Sequence, residues 1–131
     1  MSASARVLIA TAAFVALLSG CASPVRTEPV SFTPLATQPA QVVQLRQEAT
    51  ATLATGYPRT LKAGSQWRLA GSVAQGQVYR PVNTVFTIEG RHVHEAYLVV
   101  SSGKLLGFYL PGEAQYAALE TPVPLSFGDL Q

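Results

Sequence analysis

The spacing of apolar positions changes three times along the chain. Val7 to Leu18 is an almost unbroken apolar run, VLIATAAFVALL, with Arg6 ahead of it. Ala22 to Pro39 follows with isolated apolar residues among prolines at 24, 29, 34 and 39, one every five positions. Proline at that density denies both helix and central strand, which predicts an extended tether. In polyproline II geometry such a stretch reaches roughly 55 Å. Val30, Phe32 and Leu35 give it a second reading, a docking segment for a groove on another protein. From Ala40 to Thr55, Val42, Leu45, Ala49 and Leu53 fall at helical spacing on one stripe. Pro39 stands at the entrance and Gly56 at the exit, so this is the helix candidate.

Past Tyr57-Pro58 the period shortens to two, the spacing of a strand with one buried face. Gln66 to Val73 sets Trp67, Leu69, Gly71 and Val73 on one side. Ala74-Gln75-Gly76 reads as a turn into Gln77 to Arg80, which Pro81 ends. Thr84 to Glu89 is a further strand, and Gly90-Arg91 turns into the longest one, Val93 to Ser101. Ser102-Gly103 then predicts a tight hairpin into Lys104 to Leu110. Gly112 to Glu120 is read as a helical turn or loop, and Pro122 to Phe127 as a closing edge strand.

One helix followed by five or six strands on short connections implies antiparallel pairing. The expected fold is α+β, with an N-terminal amphipathic helix on a meander sheet or small, partly open barrel. In the predicted hairpin, Leu105 and Tyr109 face one way while Leu106, Phe108 and Leu110 face the other. Tyr97 and Val99 likewise oppose Leu98 and Val100. A hairpin apolar on both faces needs cover on both sides. The helix supplies one cover, and the other falls to the barrel or to a partner.

The N-terminal run has the plan of a bacterial secretion signal: a positive end, a short apolar core and small residues at a cleavage site. It is shorter than the about 20 apolar residues that a spanning helix needs. Leu18-Ser19-Gly20-Cys21 closes it, and Cys21 is the chain's single cysteine. These four residues resemble the lipobox of bacterial lipoproteins, in which the cysteine is lipidated and cleavage falls just before it. The resemblance covers residues 1–22 and no further. It implies that residues 1–20 are removed, that Cys21 carries acyl chains on sulfur and amine, and that several chains anchor stably where one does not. Ala22, rather than Asp, follows the cysteine, which by the same resemblance implies the outer membrane, periplasmic side. The organisation expected is a signal over 1–20, a lipidated tether over 21–39 and one small domain over 40–131.

Charge adds little. The net charge is +2, with Lys and Arg spread along the chain, so nothing favours a nucleic-acid partner. No disulfide is possible within a chain that has one cysteine. His92 and His94, flanked by Glu89 and Glu95, are the only histidines. On one strand two such imidazoles point the same way about 7 Å apart, yet a metal site needs a third ligand that the spacing does not supply. No Gly-x-Ser-x-Gly elbow occurs, and Asp129 is the single aspartate. Paired carboxylates would have to come from Glu89, Glu95, Glu113 and Glu120, whose spacing demands no meeting. No cofactor, metal or catalytic residue is therefore expected, and no enzymatic activity. The expected function is that of a membrane-anchored binding or scaffold accessory to an envelope assembly, held by Cys21 and engaging a protein partner. The alternative is a small-molecule or metal-binding envelope protein.

Overall fold

The computed structural model describes residues 24–37 and 41–129. The signal run, Cys21, Ala40 and the last two residues lie outside the described residues. Every regular element among the described residues is a strand. The first five are short: β1 (Glu28–Pro29), β2 (Thr33–Pro34), β3 (Val42–Leu45), β4 (Ala49–Thr52) and β5 (Pro58–Leu61). Then come β6 (Gln66–Val73), β7 (Gly76–Pro81), β8 (Thr87–Glu89) and β9 (Val93–Glu95). The chain continues through β10 (Tyr97–Ser101), β11 (Lys104–Leu110), β12 (Gln115–Pro124) and β13 (Phe127–Asp129). The fold is all-β and sandwich-like, not α+β.

The helix expected over 40–55 is the first correction. Its place is taken by β3 and β4, and the buried residues there are Val43, Leu45, Ala51 and Leu53. Those positions follow a period of two within each strand. The helical stripe shares only Leu45 and Leu53 with them. The segment is rich in β-branched Val and Thr, whose stiff side chains favour extended backbone. Arg46 closes the interruption between the strands, its N–H donating to the Ser126 carbonyl at 2.7 Å.

All pairings are antiparallel, and the main sheet runs β1-β12-β11-β10-β7-β6-β3-β13. The hairpin expected around Ser102-Gly103 joins β10 to β11, with Tyr97 opposite Tyr109 and Leu98 opposite Phe108. Ser102 and Gly103 both have positive φ, 51° and 74°, the twist that a two-residue hairpin demands. The expected strand 93–101 is divided at Ala96, which is fully buried and donates its N–H to the Phe86 carbonyl. Instead of a helical turn, Gln115 begins the longest strand, β12, after a tight turn in which Ala114 donates back to the Leu110 carbonyl. Pro122 and Pro124 lie in β12, and the closing edge strand is β13.

Both faces of the β10–β11 hairpin are covered. Leu98, Phe108 and Leu110 join the larger core cluster. There they meet Leu53 and Leu61 from the β4–β5 hairpin and its flank, and Ile88 from β8. Val99 and Tyr109 belong to a second cluster with Val73, Val78 and Tyr116. That cluster is covered by Val30 and Phe32, residues of the expected tether. Phe32 stacks on Tyr109 with ring centroids 5.1 Å apart.

The N-terminal segment is thus part of the body. β1 pairs with β12 and β2 with β6, the two ends of the run β12-β11-β10-β7-β6. Only residues 30–32 separate β1 from β2, so the segment straps the two ends of a curled sheet together. Pro29 and Pro34 sit in these two-residue strands, where proline is tolerated because no ladder continues outward. The packed body begins upstream of residue 40, and the second face that a partner might have covered is covered by the chain itself.

Burial lifts the hydroxyls of Tyr79, Tyr97 and Tyr116 above the ordinary value of 10.0. The Glu95 carboxylate adds to the rise at Tyr97, and that of Glu28 at Tyr116. The unfolded chain releases these protons near pH 10, while the folded chain still holds them. Stability is therefore level below that point and falls as pH rises through it. Denaturant midpoints measured alongside phenolate absorbance check this, and a midpoint that stays level through the phenolate transition contradicts it.

Candidate functional site

A recess of mixed polar and apolar character lies between β5, the turn that follows it, the start of β6 and the loop from β7 to β8. Its volume is about 470 Å³. Arg59 and Lys62 line it with Thr60, Ser65 and Gln66, and no carboxylate contributes to the wall. Trp67 and Phe86 supply the apolar floor, edge to face at 5.5 Å, and Val85 stands 66% exposed at the rim.

Local chemistry fixes this wall. Alternation along β5 buries Leu61 in the core and leaves Arg59 half-buried beside the loop. Its Nε donates to the Thr87 carbonyl at 2.7 Å, and the guanidinium lies 4.3 Å from the centre of the Phe86 ring. That leaves the Nη groups as the donors for a bound anion, since a guanidinium carries five N–H donors. The Trp67 indole N–H donates to Ser65 Oγ at 3.0 Å, and that hydroxyl donates to the Lys62 carbonyl at 2.7 Å. The turn carrying Lys62 is thereby fastened to the floor. Arg59→Ala removes the bond to Thr87 and the contact with Phe86, and is expected to cost about 1.5 kcal/mol. Chemical denaturation measures it; a change near zero contradicts a structural role for that guanidinium.

The histidines lie elsewhere. His92 precedes β9 and is exposed, His94 is half-buried on β9, and their ring centroids are 6.5 Å apart. His94 Nδ1 lies 3.1 Å from Glu113 Oε2, which ties β9 to the β11–β12 turn. With Pro24, Thr27 and Arg91 they border a cavity of about 230 Å³. Among the described residues no group of three His, Cys, Asp or Glu side chains gathers as a metal would require. Thr27 contributes a hydroxyl to the wall of that cavity. Glu89 and Glu95 sit at opposite ends of the β8–β9 pair, across from Val93 and Thr87 respectively. Glu113 is engaged by His94, and Glu120 lies exposed on β12. The candidate carboxylates do not form a catalytic pair around one cleft.

Sequence reasoning passes over Arg59, Lys62 and Ser65. The available signal is a short strand, Pro58–Leu61, with cations on both sides of its buried leucine and no acid until Glu89. Among the described residues no helix is long and apolar enough to cross a membrane. Comparison of the chain with family models, with curated proteins and with solved structures gave no match.

Proposed function

We propose that this chain is an outer-membrane-anchored lipoprotein on the periplasmic side, whose all-β body serves as a non-catalytic binding or scaffold accessory of an envelope assembly. One observation carries the proposal: Leu18-Ser19-Gly20-Cys21 stands directly behind a short apolar run, and Cys21 is the chain's single cysteine. A lone free thiol is a liability in an oxidising compartment, and lipidation removes it. The Arg59–Lys62 recess is the surface best suited to recognition, because it joins aromatic area to unopposed positive charge. A photo-crosslinking residue at Val85, on the rim, tests this in living cells. Capture of one envelope protein by the native chain, lost with Cys21→Ala, is the expected result. Equal capture of abundant bystanders by both chains overturns the scaffold reading.

The same recess supports a second reading, a small-molecule site for an anionic ligand with an apolar part. Such a ligand would bind the folded state alone and raise the melting temperature. A thermal-shift screen of aromatic and aliphatic carboxylates separates the readings. A shift lost in Lys62→Gln favours the ligand site, and no shift with any carboxylate leaves the protein partner as its occupant. Among the described residues no third ligand joins His92 and His94.

A further inference from the structure

We infer that the end of the body around Pro24, Arg26 and Arg91 rests directly on the leaflet that holds the anchor, in contact with phosphate-bearing lipid headgroups. This rests on the reading of Cys21 as the lipidated first residue.

Reach decides the placement. Packing begins well before β1, because Val25 already packs on the larger core cluster. Pro24, Val25 and Thr27 wall the small cavity together with Arg91 and His92. Only three residue steps separate Cys21 from Pro24. A fully extended chain covers at most about 3.6 Å per step, so the link spans roughly 11 Å. Acyl chains buried in the hydrocarbon hold Cys21 at headgroup depth, and the headgroup layer on each side is about 5–8 Å thick. The body therefore has no room to stand far from the bilayer. A free tether through residue 39 would have allowed a gap several times larger.

The chemistry at this end suits the contact. Arg26 and Arg91 are exposed, and neither takes part in the His94–Glu113 ion pair. Long basic side chains lay their stems on apolar surface and carry the charge to phosphate. Val93, one of two large apolar residues standing exposed among the described residues, is two positions from Arg91. Glu89 and Glu95 are exposed on the same hairpin, so chain length rather than net charge sets the contact.

The test uses the full acylated chain in vesicles of phosphatidylethanolamine and phosphatidylglycerol that contain headgroup spin-labelled lipid. Because lipid occupies the sulfur of Cys21, an introduced cysteine is the only free thiol. One fluorophore is placed at Val93→Cys and another at Lys104→Cys, the exposed start of β11. Lys104 and Leu110 end the same strand, so the control lies about 20 Å from the Leu110 end of the body. The expected result is loss of most emission at position 93 with little change at 104. A long Gly-Ser insertion between Ser23 and Pro24 is expected to restore the emission at 93. Undiminished emission at 93 in a chain whose acyl mass is present overturns the placement alone. Absence of the acyl mass overturns the anchor reading, and the placement with it.

Discussion

Gly71→Ala is expected to lower the unfolding free energy by about 3 kcal/mol, although it adds a single methyl group. A Cβ at this position would collide with the Thr33 carbonyl oxygen and sit 2.7 Å from the Phe32 ring. Thr33 and Pro34 pair with β6 here, so the obstructing atom is backbone held in a ladder and has no easy retreat. The strap must lift, uncovering Val30, Phe32 and the second core cluster. Each of those side chains contributes about 1.5–3 kcal/mol when fully buried, and they are half-buried, which sets the magnitude. Amide exchange separates this from a general loss of stability. Val30, whose N–H donates to the Ala114 carbonyl, and Leu35, whose N–H donates to the Ala70 carbonyl, are expected to lose protection first. A fall in stability with protection unchanged at both would mean that the strap does not close the sheet.

Phe108→Ala is expected to cost about 4 kcal/mol, the largest effect of any single substitution considered. Phe108 is fully buried on β11 and packs against Phe86 at a centroid separation of 5.7 Å. Phe86 in turn meets Trp67 and carries the Arg59 guanidinium, so the cavity opens directly beneath the recess. Loss of stability should therefore be accompanied by a change in Trp67 fluorescence in the folded state. Denaturant unfolding followed by both backbone and tryptophan signals reads the two effects together. A cost below 1 kcal/mol would show that the larger cluster is not organised around this ring.

The β10–β11 hairpin is legible in the sequence because a tight-turn pair stands between two runs of strand-forming residues. The two-sided burial of those runs is legible too, since apolar residues occupy both parities from Tyr97 to Val100 and from Leu105 to Leu110. What covers the second face is not legible locally. Val30 and Phe32 lie among prolines, and proline density reads equally well as a spacer and as a strap on a sheet edge. Only the pairing of β1 with β12 and β2 with β6, more than 35 positions away, decides between them. The segment 41–53 misleads for a different reason. Two short strands offset by Arg46-Gln47-Glu48 place Leu45 and Leu53 at a separation that a helix also satisfies. Thr50, Thr52 and Thr55 already weigh against a helix. The recess at Arg59 and Lys62 depends on Trp67 and Phe86 meeting across β6 and the β7–β8 loop, a contact that no spacing announces.

The strap also changes what the proposed lipidation of Cys21 would imply. A body joined to a membrane by a short link would meet partners in the membrane plane, whereas a long tether would let it search the surrounding space. The account turns on Cys21. Mass spectrometry of the full chain, expressed in a bacterial host and extracted from its envelope, tests that directly. The expected species begins at Cys21 and carries acyl chains on both the sulfur and the amine. A chain that keeps Met1, or one cut elsewhere with a free thiol at Cys21, contradicts it.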